Sequence, residues 1–297
     1  PFGRLDNLDL EALIGAVTSE ALAHAGVPAA DVDGVWLGHL GGGLVPENFT
    51  SSLVLQADDA LRFKPATRVE NACASGSAAL YAACDAIEAG RARIALVVGA
   101  EKMTAVSGAE TTRILGNASY VREEAAHGLT FPGIFAKMAQ AYFQRHGEHS
   151  ATLARIAAKN HANGVRNPYA QMRRDLGFEF CNMVSEKNPM IAAPLRKTDC
   201  SLVSDGAAAV VLARADDATA FRRAVRLRAR AQVNDYLPMS RRDPVAFEGP
   251  RRAWAQALAA AGVTVDDLSL AEVHDCFTIA ELLSYEAMGL AAAGQGD

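Results

Sequence analysis

The chain has 297 residues, of which 50% are hydrophobic and 21% charged; this supplies a sizeable core and excludes a disordered chain. A formal charge of −5 leaves no basic excess with which to release counterions, so nucleic acid is excluded as the main partner. No apolar run approaches the roughly 20 residues that span a bilayer, and no basic segment followed by an apolar one near the start reads as a signal peptide.

In chain order, Leu10, Leu13, Ile14 and Val17 fall at helical spacing and predict an amphipathic helix that Gly26 and Pro28 end. Gly34 to Leu40 reads as a short strand. Thr67 to Asn71 is a second strand, Ser75 to Ala89 a helix closed by Gly90, and Ile94 to Gly99 a buried strand of β-branched and aliphatic residues. From about Thr104 to Lys197 the composition turns to polar helices and Pro-containing loops, which predicts an inserted lid. Asp205 to Ala213 returns to a buried strand. Trp254, Ala257, Leu258 and Ala261 repeat the helical spacing, Gly262 stops it, and Leu268 to Val273 reads as a final strand. The expected class is α/β, with an N-terminal half over 1–104 and 196–220, a lid over 105–195 and a C-terminal half over 221–297.

Two segments invite direct comparison. A-L-A-H-A-G-V-P-A-A-D begins at Ala21, and A-L-A-A-A-G-V-T-V-D-D begins at Ala257, a constant offset of 236 residues. Coincidence in an alanine-rich chain is one explanation and duplication the other. Duplication places His274 where the first copy has Gly38, at the carboxyl end of a strand, where open α/β sheets hold ligands.

Cys73 stands in R-V-E-N-A-C-A-S-G-S-A-A-L, after a strand and before a helix of small residues. A helix start offers a positive dipole end and N–H groups that favour a thiolate and a developing oxyanion. Ala74, Ser75, Gly76 and Ser77 leave room for substrate, so the segment reads as a nucleophile elbow built on cysteine. The alternative is a small structural thiol in a tight turn. In V-H-D-C-F-T, His274 and Cys276 can present a base beside an ionisable thiol. A satisfied histidine and a core cysteine are the alternative there, and one histidine with one cysteine are too few ligands for zinc. The five cysteines, Cys73, Cys84, Cys181, Cys200 and Cys276, show no dithiol spacing, which points to a reducing compartment.

N-A-C-A-S-G-S-A-A-L, V-V-G-A-E-K-M, S-D-G-A-A-A from Ser204, and V-H-D-C-F-T-I-A-E-L-L-S-Y-E-A-M-G-L together resemble the thiolases of the sterol carrier protein x type, over nearly the whole chain. H-D-C-F is the most specific of these motifs. The resemblance implies the thiolase fold, duplicated α/β halves in a layered α-β-α-β-α arrangement with a loop domain over the site. It also implies thiolysis of a 3-oxoacyl-CoA or the reverse Claisen condensation. Cys73 matches the acylated nucleophile, His274 the histidine that binds the thioester oxygen, and Cys276 the acid/base cysteine. Coenzyme A is the implied cosubstrate, with no resident cofactor and no metal. A homodimer or homotetramer, a possible partner subunit and a cytoplasmic rather than peroxisomal location follow from the same likeness.

A condensing relative that runs only in the synthetic direction, or a non-catalytic acyl-CoA-binding or scaffolding subunit, are the competing readings. The resemblance also implies a later Gly-His-Pro segment whose histidine activates the nucleophile, and nothing in these residues matches it. Cys73 follows Leu37 by 36 residues, and as many counted on from Val273 run past Asp297. The expectation is a longer enzyme, with an opening strand before Pro1 and the rest of the second half after Asp297.

Secondary candidates carry less. Arg166, Arg173 and Arg174 could meet coenzyme A phosphates or form a solvated face. Phe131 and Met138 could line an acyl pocket or pack a core. Glu101 and Lys102 read as a strand-end ion pair, with a place at a subunit interface as the alternative, Asp205 with Gly206 as a turn into a strand, and His127, His146, His149 and His161 as exposed residues.

Overall fold

The computed structural model describes residues 2–296. In chain order its main elements are α1 (Leu10–Ala25), β1 (Gly34–Gly38), β2 (Ala66–Val69), α2 (Ser75–Glu88), β3 (Ile94–Glu101), α3 (Gly108–Gly116), α4 (Phe131–His146), α5 (Ser150–Arg166), α6 (Gly177–Asn182), β4 (Met190–Ala192), β5 (Leu195–Arg196), β6 (Gly206–Ala213), α7 (Glu248–Ala261) and α8 (Thr278–Met288). They fall into two compact units. The first runs to Ile114 and includes Val203–Leu227; the second takes Leu115–Leu202 and the chain from Arg228 on.

The first unit is built on a four-stranded sheet in the order β2-β1-β3-β6, with β1 parallel to β2 and β3 and β6 antiparallel to β3. Alternation along β1 and β3 sends side chains to both faces. Val35, Leu37, Leu96 and Val98 meet Leu10, Ile14 and Leu22 of α1 on one side. Ala95, Val97 and Trp36 meet Ala79 and Ala83 of α2 on the other. Both faces are therefore covered, which is why the central strands read as near-continuous apolar runs. Leu37, Leu96 and Val98 are wholly buried, each contributing about 1.5–3 kcal/mol of hydrophobic stabilisation. Asp9 caps α1 by accepting the Ala12 N–H, and Gly26 ends it at φ 66°.

Two charged residues at the end of β3 depart from expectation. Glu101 and Lys102 do not pair with each other. Glu101 lies 3.1 Å from His39 Nδ1, whereas the Lys102 ammonium, nearly buried, donates to Asp205 Oδ2 at 2.6 Å. Consecutive residues of an extended chain point to opposite sides, so each finds a partner on its own side. Asp205 is more than a turn residue. Fully buried, it also accepts the Thr104 and Leu5 N–H groups and the Thr104 hydroxyl.

The second unit is helical, with one short antiparallel hairpin, β4 with β5. α8 is buried along most of its length and packs with residues of α4 and α5 through Met138, Tyr142, Leu153, Ile156, Ile279, Leu282 and Leu283, and it carries Glu281 into the interior with them. His127 is exposed as expected. His146, His149 and His161 are instead half-buried, and the first two lie against the Tyr142 ring at 4.8 and 5.1 Å. Each carries one flat apolar face that a neighbouring ring or helix can cover.

The repeat is legible in local structure. α1 is followed by the left-handed Gly26 and a 3-10 turn at Ala29–Asp31, and α7 by the left-handed Gly262 and a 3-10 turn at Val265–Asp267, at the same offset. The copies then diverge. The first proceeds into β1; Leu268 to Val273 forms no strand, and Leu270 is 76% exposed. A strand needs a neighbour to complete its ladder, and the alternating pattern alone does not supply one. Among the described residues no helix is long and apolar enough to cross a membrane.

Candidate active site

Cys73 lies in the first unit, between the end of β2 and the start of α2. The chain turns sharply there. Ala72 is left-handed at φ 47°, a conformation costing an alanine about 1–2 kcal/mol. Local bonds hold it: Glu70 Oε1 accepts the Ala72 N–H at 2.5 Å, and the Ser75 hydroxyl donates to the Ala72 carbonyl at 2.6 Å while accepting the Asn71 N–H at 2.9 Å. A strained, over-determined turn that presents an exposed thiol at a helix start is the geometry of a nucleophile elbow. At Gly76 an added Cβ would meet nothing within 4 Å, so the helix start is open on that side.

Loss of surrounding water pushes the Cys73 pKa above the ordinary thiol value, with a backbone N–H only partly opposing it. A neighbouring base that accepts the thiol proton would offset this rise. Burial pushes Cys200 further, up to about 12, with Asp199 adding to the rise. Burial also raises Cys181.

The loop after β1 contributes features that motif reading missed. His39 is buried, its Nδ1 lies 2.9 Å from the Ala100 carbonyl and so carries a proton, and its Nε2 has no hydrogen-bond partner among the described residues. Arg68 donates to the His39 and Leu40 carbonyls, and Glu101 accepts the Leu40 and Gly41 N–H groups. Gly41, Gly42 and Gly43 follow, all at positive φ. The G-G-G run in the sequence was the available signal.

His274 and Cys276 lie in the second unit, on the turn entering α8. His274 is exposed, yet the protein around its ring displaces enough water to lower the pKa below the ordinary imidazole value, partly countered by the Asp275 charge, so the ring is neutral near pH 7. Cys276 is buried and its carbonyl accepts the Ser201 N–H at 2.9 Å. Phe277 stacks on Phe135 at 4.3 Å and tilts against Phe131 at 5.9 Å. Thr278 donates to Asp199 Oδ1 at 3.0 Å. Asp275 was read only as part of the motif. Its carboxyl is raised by burial and by the charge of Glu281, and Asn160 of α5 donates to both carboxylates. The lone acid in T-I-A-E-L-L was the sequence signal for such a partner, since a buried charge demands one. Of the secondary candidates, Phe131 packs beside Phe277 and Met138 sits in the core of the unit. Arg166, Arg173 and Arg174 are exposed.

A family model described as "Thiolase, N-terminal domain" matches residues 1–216, and one described as "Thiolase C-terminal domain-like" matches residues 231–297. The acetyl-CoA acetyltransferase of Methanothermobacter thermautotrophicus is 36% identical over 99% of this chain and 76% of its own length. Sterol carrier protein 2 of Bos taurus is 29% identical over 98% of this chain and 55% of its own length. A solved structure described as the Ltp2-ChsH2(DUF35) aldolase superposes at a TM-score of 0.82 over 99% of this chain and 76% of that one, with 21% identity, a likeness of fold.

Proposed function

The chain belongs to the thiolase family, and on that premise we propose that it cleaves a 3-oxoacyl-CoA with coenzyme A, or runs the reverse Claisen condensation, through an acyl group carried on Cys73. Acyl transfer is the coarse activity the family brings. The observation that carries the finer reading is the exposed thiol on the strained Asn71–Ser75 turn at the start of α2.

In the cleavage direction a base removes the Cys73 proton, since the thiolate is the nucleophile. The thiolate then attacks the 3-oxo carbon. The C2–C3 bond breaks, its electron pair passing to the enolate of the departing acetyl-CoA, and the acyl group stays on sulfur. His274, neutral near pH 7, donates a hydrogen bond to the thioester oxygen where enolate charge develops. Cys276 gives the proton to the enolate carbon. The thiolate of coenzyme A next attacks the acyl-cysteine carbonyl, releasing the shortened acyl-CoA and returning Cys73. Condensation is the reverse sequence, and a self-associated enzyme is part of the same reading.

Mass spectrometry of the full-length protein after exposure to acetyl-CoA tests this. An acetyl adduct on Cys73, absent from Cys73→Ser, is expected, followed by acetoacetyl-CoA formation. Acetyl-CoA that leaves Cys73 unmodified while binding intact would favour the scaffolding alternative and refute the proposal.

A further inference from the structure

We propose that Asn160 is the positioning residue of the His274–Cys276 turn, joining Asp275 to Glu281 through the two hydrogens of one side-chain amide. The inference rests on the reading above, in which that turn carries the groups that bind the thioester oxygen and move the proton. Asn160 Nδ2 lies 2.8 Å from Asp275 Oδ2 and 2.6 Å from Glu281 Oε2. Two carboxylates brought this close repel unless a donor stands between them, and a primary amide is the neutral group with two hydrogens to give.

The rest of the cluster explains why Asn160 serves the turn and not the helix alone. Glu281, 2% exposed, is already compensated at its other oxygen, which accepts the Lys159 ammonium and the Tyr285 hydroxyl. Lys159 also donates to the Tyr285 oxygen at 2.9 Å. Glu281 is thereby a fixed post on α8. Asn160 transfers that fixity to Asp275, the residue between His274 and Cys276. The turn's other anchors act further along: the Cys276 carbonyl on the Ser201 N–H, and Phe277 on the Phe135 ring. Asn160 holds the residue next to His274, and a single substitution removes that bond.

The test uses Asn160→Ala, with Asn160→Ser as a milder variant that keeps one donor should alanine fail to fold. For acetyl-CoA condensation we expect kcat to fall about 10- to 100-fold, because a misplacement near 1 Å costs that much, while KM moves less than about threefold. A role exerted through Asp275 makes the two residues non-additive. Asn160→Ala introduced into Asp275→Ala should cost less than about threefold more, whereas a general packing role would multiply the losses. Independently of turnover, amide hydrogen exchange of residues 274–277 should accelerate about tenfold or more in Asn160→Ala. Unchanged exchange, or fully multiplicative kinetic losses, overturns the proposal. A wild-type protein that forms no Cys73 adduct would instead strike the functional reading, leaving exchange to decide the role of Asn160 in holding the turn.

Discussion

Gly38→Ala isolates the connection between the sheet and the nucleophile turn. A Cβ on Gly38 would lie 2.7 Å from both Gly76 Cα and the Ser75 carbonyl oxygen and 2.8 Å from Gly76 N, whereas ordinary contact begins at 3.4 Å. The start of α2 must therefore withdraw by about 0.7 Å. All three atoms are backbone, so no rotamer change relieves the clash; overpacking of this kind costs about 1–3 kcal/mol. Cys73 precedes that helix start by two residues, and a displacement approaching 1 Å slows a positioned nucleophile by up to about 100-fold. The assay is the rate of acetyl transfer from acetyl-CoA to Cys73, read by mass spectrometry, together with the thermal unfolding midpoint. Gly15→Ala is the control. A Cβ there meets nothing within 4 Å on α1, so stability should hold or rise by up to about 1 kcal/mol, with acetylation unchanged. Gly38→Ala acetylated at the wild-type rate with an unshifted midpoint would refute the reasoning.

Two further outcomes concern charge. Burial opposes the Asp205 carboxylate, but Lys102, Thr104 and Leu5 outweigh it and hold the pKa at about 2, against an ordinary 3.8. The folded value is the lower one, so about 2–3 kcal/mol of stability is present above the ordinary value and lost as pH falls from about 4 through about 2. Asp205→Asn should lose about 3–5 kcal/mol near neutrality, by stranding Lys102, and should flatten that acid limb in denaturant titrations; an unaltered limb counts against the account. For His274, whose pKa is lowered below 6.5 by loss of surrounding water, the acid limb of kcat/KM attributed to this residue should lie below that value. It should move lower still in Asp275→Asn, which removes the charge that raises it. A limb at or above 6.5 contradicts the neutral-donor role.

The framework of the first unit was legible because each signal was local or periodic. The spacing of Leu10 to Val17 with Gly26 marked α1, and the aliphatic runs at Gly34–Leu40 and Ile94–Gly99 marked β1 and β3. Cys73 was found by its place between a strand and a run of small residues. What failed depends on partners distant in sequence. Leu268 to Val273 has the alternation of a strand but no ladder, and Glu101 and Lys102 are neighbours that turn to opposite sides. The tie from Asn160 to Asp275 spans 115 positions, which spacing arguments do not reach.

The matched helix, glycine and 3-10 turn of the two repeats make positions 38 and 274 directly comparable. Position 38 has backbone against it and tolerates no side chain, whereas its counterpart at the same offset carries the His274 imidazole. The close approach of α2 thus reserves that place in the first copy for glycine, and the sheet and the helix start can move there only together.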